Sequence, residues 1–351
     1  MRLLLGFFAR LPNIDFFERT EVFDIVIPKR WSWFYLRPKQ LLLFVQDPVH
    51  LATKWRNRLL SATAQLTMGN QKISVQDLVD IVKKADSKIE HSLVLSDLIP
   101  ADRQNFRSCQ KISSECVLKI LQENKNTSAT FVYLKLLKYI IDAYISNSTS
   151  ITDRLFLAWS VVFVCRIWKT WLKCKSFDRK SKEILFITTP AYYSVELNAH
   201  SLLYLVLLVK TNILPIESLQ IPLFSSQSCE GMFRNARSLT GTQSTMINFS
   251  VYDFLHRTEK ITALNYIKTT QIENKDFKIS FPRHHKHGKK EDSSRTTLNM
   301  DDIDDIDIDE IISKAFAHAK QLMSGLEIDI VLQKNKLLTL ERLSQDVFNS
   351  L

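Results

Sequence analysis

Two acidic residues, Asp47 and Glu230, stand at positions where a carboxylate can take part in chemistry. Asp47 follows the apolar run LLLFV and precedes Pro48, and proline favours the first turn of a helix. The sequence therefore predicts a buried strand that ends at Asp47 and a helix that begins directly after it. Glu230 follows a serine-rich stretch and is predicted in the first turn of a second helix, with Ser228 as the N-cap. A carboxylate at the start of a helix can stabilise that helix or hold a metal ion, and each acid alone fits either role.

Polar and basic side chains accompany each acid at helical spacing. The helix after Asp47 is predicted to have a polar face of His50, Lys54, Asn57 and Ser61 and an apolar face of Leu51, Trp55, Leu59 and Ala62. In the second helix, Arg234 and Arg237 share a face with Glu230. Neighbouring arginines suit a phosphate group, and the alternative interpretation is a solvated helix surface.

The composition favours a polyanionic partner and excludes several classes of protein. The net charge is +10, which suits nucleic acid first and an acidic membrane surface second. No GxxxxGK[ST] or GxGxxG motif is present, which excludes P-loop and Rossmann phosphate loops at the motif level. The five cysteines form no CxxC pair, so we interpret them as reduced thiols of a cytosolic or nuclear protein. The longest apolar runs fall short of the roughly 20 residues that cross a bilayer, so no membrane association is expected.

The patterning along the chain predicts five segments. Residues 1–73 mix short apolar and aromatic runs with turn residues, which predicts strands. Residues 74–215 repeat apolar side chains at helical spacing and are predicted to form an all-helical domain. Residues 216–270 comprise a connector and the helix of the second acid. Residues 271–310 contain the basic stretch RHHKHGKK and the acidic stretch DDIDDIDIDE, and they are predicted to be a disordered linker. Residues 311–351 are predicted to form a last helix.

The two acidic segments resemble those of a known family. QDPVHLATKWRNRLL resembles the segment of P-element-type (THAP-associated) transposases in which an aspartate ends the fourth strand of an RNase H-like core. QSCEGMFRNARSLTG is similar to the Q-[DS]-x-E-x-x-F-x-x-x-R segment that supplies the family's last glutamate. The family inserts an all-helical domain between these acids, and residues 74–215 have that character. The resemblance covers roughly residues 35–260.

This resemblance implies a transposase-derived, nuclear DNA-binding protein. Its fold would be α+β but predominantly helical, with a partial RNase H-like core that the helical insertion interrupts. Asp47 and Glu230 would be the second and third acids of a DDE site, which binds Mg²⁺ or Mn²⁺ for phosphodiester cleavage and strand transfer in DNA integration. The residues that would contact DNA phosphates are His50, Lys54, Arg56, Asn57, Arg234 and Arg237. The family also allows a homo-oligomer, and a guanine nucleotide in the insertion for which no residue of this chain can be assigned.

The first aspartate of the family's triad has no clear counterpart. In an RNase H-like core, two strands and a helix separate the first acid from the second, which takes about 50 residues or more. Asp15 and Asp24 lie only 32 and 23 residues before Asp47. We therefore expect the strand that bears the first acid to be missing and catalysis to be incomplete, which leaves enzymatic activity undecided.

Two further interpretations of the sequence stay open. In the first, the chain is a non-enzymatic helical scaffold for protein interactions, and its basic surface and acidic stretch meet protein partners. In the second, Asp15 or Asp24 supplies the missing ligand through an abbreviated core, and the chain is an intact enzyme.

Overall fold

Short strands and many helices make up the part of the chain that the structure describes. A computed structural model describes residues 23–40, 43–83, 92–175, 178–238, 250–273 and 300–348. The strands there are two-residue pieces in two antiparallel pairs, β1 (Phe23–Asp24) with β2 (Lys39–Gln40) and β3 (Thr67–Met68) with β4 (Gln71–Lys72). The predicted predominance of helix is confirmed.

The helices fall into two compact units. The larger unit comprises Met1–Phe224 and Arg295–Leu351, and the smaller one comprises Ser225–Ser294. The larger unit contains α1 (Pro48–Leu59), α2 (Val75–Lys83), α3 (Phe106–Ile112), α4 (Glu115–Gln122), α5 (Ser128–Tyr144), α6 (Ile151–Cys174), α7 (Arg179–Leu185), α8 (Thr189–Lys210), α11 (Met300–Asp304), α12 (Ile308–Met323), α13 (Ile328–Lys334) and α14 (Leu340–Phe348), and the smaller unit contains α9 (Gln227–Ser238) and α10 (Val251–Glu273). Short 3₁₀ turns, among them Ile216–Leu219 and Ile221–Leu223, complete the connector.

The core of the larger unit forms around α6. Ser150 caps this helix through its hydroxyl oxygen, which accepts a hydrogen bond from the N–H of Asp153. Most side chains of α6 are buried, and α5, α8 and α12 pack around it. Within the described residues, α6 is the one helix long and apolar enough to cross a membrane, but 83% of its apolar window is buried in the protein. Burial on all sides is typical of a core helix.

The predicted strand before Asp47 is wrong for the residues that the structure describes. Residues 43–47 form no strand, and their backbone groups bond to side chains of α8 instead. The Ser201 hydroxyl donates to the Phe44 carbonyl at 2.8 Å, and the Asn198 amide bonds to both backbone groups of Gln46, at 2.8 and 2.9 Å. A buried backbone needs partners for its N–H and C=O groups, and here a helix supplies them without a sheet.

Two predicted segment boundaries also need correction. The boundary between residues 73 and 74 has no counterpart, because α1 packs against α5 and α8 within one unit. The described residues of 74–215 nevertheless contain helices and no strand, as expected. The boundary predicted at residue 216 lies at Ser225 in the structure.

The acidic stretch DDIDDIDIDE is not a linker. Its isoleucines Ile303, Ile306 and Ile308 are buried, and the Asp307 carboxylate caps α12 by accepting a hydrogen bond from the N–H of Glu310. The predicted last helix is three helices, α12 to α14. The burial of these isoleucines and the capping of α12 together outweigh the repulsion among the carboxylates of the stretch. The rest of the predicted linker, residues 274–299 with RHHKHGKK, lies outside the described residues.

Candidate functional site

Asp47 is fixed at the N-terminus of α1. Its Oδ1 accepts hydrogen bonds from the N–H groups of Val49 at 2.7 Å and His50 at 3.2 Å, and Pro48 occupies the first turn as predicted. The two bonds hold the carboxylate at the positive end of the helix dipole, which stabilises the start of α1. Asp47 is thus an N-cap whose position is set on both sides, by α1 and by the segment that α8 holds.

The polar face of α1 carries the predicted cation Lys54. Lys54 is exposed, and its Nζ lies 3.5 Å from Oε1 of Gln46. His50 is half-buried on the same face. The opposite face buries Leu51, Trp55 and Leu59, as the apolar spacing predicted.

Arg56 does not belong to a phosphate-binding set. Its side chain is completely buried, and its guanidinium donates to the carbonyl oxygens of Asp97 at 2.7 Å, Ile99 at 3.1 Å and Asp102 at 2.8 Å. It also donates to Oδ1 of Asn57 at 3.3 Å. A guanidinium in this position has no surface left for a ligand, so the prediction that Arg56 contacts DNA is wrong. Its role is to fold the 97–102 segment onto α1.

Asn57 and Asp97 complete this buried network. The Asn57 amide donates to the Arg103 carbonyl at 2.8 Å, and its Oδ1 accepts from Arg56. Asn57 is only half-buried, and its predicted contact with a phosphate stays a prediction. Asp97 accepts hydrogen bonds from Lys111 at 2.8 Å and from Ser108 at 2.9 Å. Burial alone would raise the pKa of Asp97, but these bonds and one from the Val94 N–H hold the pKa below its usual range.

Glu230 lies in the first turn of α9, in the smaller unit. The Ser226 hydroxyl donates to its Oε1 at 2.8 Å, and the Glu230 N–H donates to the Ser226 carbonyl at 2.9 Å. The helix begins at Gln227, so Ser226 precedes the helix where Ser228 was predicted to do so. Arg234 and Arg237 follow on α9, and Arg237 is exposed.

The smaller unit has a contact of its own that holds α9 against α10. Phe233 stacks on Phe254 with ring centroids 4.9 Å apart, and Arg257 donates to the Ala236 carbonyl at 3.2 Å. Asp47 and Glu230 belong to different units, and their predicted convergence stays a prediction.

Of the two candidates for the first aspartate, Asp24 lies within the described residues and Asp15 does not. Asp24 lies in β1, and its exposed carboxylate pairs with Lys39 at 3.4 Å. An exposed pair of this kind is a common surface feature and does not by itself mark a metal ligand.

Sequence reasoning missed the polar residues of α8 that hold Asp47 in place. Asn198 and Ser201 lie three residues apart in the apolar helix YSVELNAHSLLYLVLLV, and both bond to the segment before Asp47. Two buried polar residues at helical spacing in an apolar run were the available signal, because such groups need partners.

Comparison of the chain with family models, with curated proteins and with solved structures finds no match.

Proposed function

We propose that this chain is a transposase-derived DNA-associating protein of the nucleus, in which Asp47 and Glu230 form a metal-binding pair. The RNase H-like core and the DDE ancestry belong to this proposal, and they rest on the resemblance of the two acidic segments. The observation that carries it is the placement of Asp47. Its carboxylate is fixed at the start of α1, two turns before the exposed Lys54.

The donor chemistry fits a hard divalent cation. Carboxylate oxygens are the ligands that Mg²⁺ and Mn²⁺ prefer, and Asp47 and Glu230 would hold such an ion. A bound ion would polarise a phosphodiester oxygen and lower the pKa of a coordinated water. The protein's own contribution would be to position the two carboxylates and to attract phosphate through Lys54 and Arg237. Without an assigned third acid, we propose DNA association and metal binding rather than turnover.

Mn²⁺ binding to the full chain tests the proposed pair. Calorimetry measures this binding, or the loss of the paramagnetic resonance signal of free Mn²⁺ does. Asp47→Asn and Glu230→Gln should each weaken Mn²⁺ binding at least tenfold. Asp77→Asn is the control for the first variant, because Asp77 is also an acid in the first turn of a helix of the larger unit. Glu115→Gln is the control for the second, since Glu115 also stands in a first helical turn.

Equal binding by the site variants and the control variants would remove the metal pair from the proposal. The DNA part has a separate test, a titration of labelled duplex DNA at two salt concentrations. Phosphate contacts predict an affinity that falls as salt rises.

A helical interaction scaffold is the second candidate function. The smaller unit favours it, because α10 exposes Val251, Tyr252, Leu255 and Tyr266 at 77%, 68%, 56% and 73% of their surface. Several large exposed apolar side chains on one helix are typical of a surface that contacts another molecule. This candidate predicts no affinity for DNA at low salt and no effect of either acidic substitution on Mn²⁺ binding.

A further inference from the structure

A second basic region lies at the C-terminal end of α6, away from the motifs discussed so far. Residues 169–183, KTWLKCKSFDRKSKE, contain six lysines and arginines against two acidic residues. The segment includes the last turns of α6 and most of α7. Neither the resemblance nor the proposed metal pair uses any of these residues.

Aromatic rings order the cations of this region. The Lys169 ammonium lies 4.0 Å from the ring centroid of Tyr192 and 5.6 Å from that of Tyr193. The Lys175 ammonium lies 5.4 Å from the ring of Trp171. Cation–π contacts of this length help to hold an ammonium group in place. The lysines therefore present ordered positive charge at a surface that also offers an aromatic side chain, the half-buried Tyr193.

The end of α1 joins the same region. Arg58 donates to the Phe186 carbonyl at 2.9 Å and to the Glu183 carbonyl, and the Gln65 N–H donates to the Ile184 carbonyl at 2.9 Å. These bonds tie the C-terminal end of α1 to α7. We name Lys169, Lys173, Lys175 and Lys182 the basic face.

Acidic residues gather at the opposite end of α6. A cleft of about 340 Å³ there is lined by five acidic residues against one lysine, Lys314, which pairs with Glu310 at 2.8 Å; the acids are Asp153, Asp302, Asp305, Asp307 and Glu310. The 24 residues of α6 separate the two ends by about 36 Å. The larger unit is thus electrostatically polar along α6, and an approaching polyanion is attracted to one end and repelled from the other.

We propose that the basic face is a docking surface for the phosphate backbone of duplex DNA. This inference rests on the proposed DNA association and assigns it to residues for which the resemblance implies no role. Three properties support it: a dense positive charge, cations ordered by aromatic rings, and an acidic pole that orients the larger unit. A duplex carries about one negative charge per 1.7 Å of its axis, so several lysines on one face can engage it together.

The experiment compares two triple variants of the full chain by fluorescence anisotropy with a labelled DNA duplex. The face variant is Lys173→Gln, Lys175→Gln and Lys182→Gln. The control is Lys320→Gln on α12 and Lys334→Gln and Lys336→Gln at the end of α13, which removes the same charge from exposed positions. Circular dichroism checks that each variant retains the fold.

The face variant should bind DNA about tenfold more weakly at 0.1 M salt, and the slope of log affinity against log salt should fall by about 2 to 3. The control should retain the wild-type slope. Equal losses in both variants would overturn the docking surface and leave the proposed DNA association standing. A wild-type chain without DNA affinity at low salt would overturn both.

A separate titration tests whether an anionic membrane binds the basic face instead of DNA. Its probe is vesicles of mixed phosphatidylserine and phosphatidylcholine. Wild-type binding to these vesicles that is lost in the face variant, with DNA binding unchanged, would assign the surface to a membrane and overturn the proposal.

Discussion

At the scale of single residues, Arg56 and Lys54 show why charge alone does not identify a ligand contact. The two cations lie two residues apart on α1, yet one is completely buried and the other is exposed. The carbonyl groups that bind Arg56 lie 41 to 46 residues away in the chain, so no local pattern reveals them. A buried guanidinium is retained for its hydrogen bonds, and an exposed ammonium is available to a ligand.

Substitution of Arg56 should therefore affect stability. Arg56→Met removes the donors of three carbonyl groups, and the free energy of unfolding should fall by at least about 3 kcal/mol. Lys54→Gln should change it by less than about 0.5 kcal/mol, because Lys54 is a surface side chain. Urea unfolding followed by circular dichroism measures both. Similar stabilities of the two variants would contradict the structural role of Arg56.

His200 makes stability depend on pH. Its ring is fully buried and stacks on Tyr35 with centroids 3.6 Å apart, and it lies beside the buried Arg166–Glu196 ion pair. Desolvation lowers the pKa of His200 to about 3, against the attraction of Glu196. The folded state thus keeps the ring neutral, while the unfolded chain takes up a proton below about pH 6.5. The stabilisation is complete above that pH and is lost progressively toward pH 3.

We expect the wild-type free energy of unfolding to fall by about 2 kcal/mol between pH 7 and pH 5 through this residue. His200→Phe keeps an aromatic ring in the stack and removes the titration, so most of this dependence should disappear. The partly buried His318 also has a lowered pKa, so it adds to the pH dependence with the same sign in the wild type and in His200→Phe. Urea titrations at a series of pH values give the comparison, and an unchanged slope in the variant would exclude His200 as the cause.

At the scale of elements, α1 was predictable and the segment before it was not. Asp47, Pro48 and the apolar period that follows contain the information for the start and the buried face of α1. A run of five apolar residues does not distinguish a strand from an irregular segment whose backbone bonds to a helix. That choice depends on Asn198 and Ser201, about 150 residues later.

Gly69 illustrates a similar limit at the β3–β4 turn. Its φ is +64°, and a Cβ at this position would lie 1.7 Å from the Leu326 carbonyl oxygen. The turn could be predicted from the dipeptide Gly69–Asn70, since glycine tolerates a positive φ. The close approach of residue 326, which also accepts a hydrogen bond from the Asn70 N–H, depends on the packing of the whole larger unit.

The loss of stability should follow the number of hydrogen bonds that are removed between α8 and the segment before Asp47. Asn198→Ala removes two hydrogen bonds to Gln46 and should lower the free energy of unfolding by about 2 kcal/mol. Ser201→Ala removes one bond to Phe44 and should lower it by about 1 kcal/mol. Chemical denaturation of both variants checks the order, and a larger effect of the serine would contradict it.

At the scale of the whole molecule, the division into units differs from the predicted segments because distant parts of the chain complete one core. The C-terminal helices belong to the larger unit, although residues 225–294 stand between them and the rest of it in sequence. Composition alone indicated a disordered acidic stretch. The alternation of isoleucine and aspartate within it instead places apolar side chains in the core and carboxylates outside.

Removal of residues 300–351 is therefore expected to disrupt the larger unit. Ala315 and Ala319 of α12 are fully buried in the core around α6. Ser344 of α14 accepts a hydrogen bond at 2.9 Å from the buried Arg166. A chain that ends at residue 299 exposes this face of α6 and leaves Arg166 without one of its partners, so cooperative thermal unfolding should be lost.

A chain that ends at Phe348 keeps all four helices, α11 to α14, and should unfold like the full chain. Near-ultraviolet circular dichroism during heating distinguishes the two, because the buried tryptophans Trp159 and Trp168 report on the packing of α6. An unchanged transition in the chain that ends at residue 299 would mean that α6 is covered without the C-terminal helices. The acidic stretch would then be dispensable for folding, and its carboxylates would act only as the acidic pole that orients the larger unit toward a polyanion.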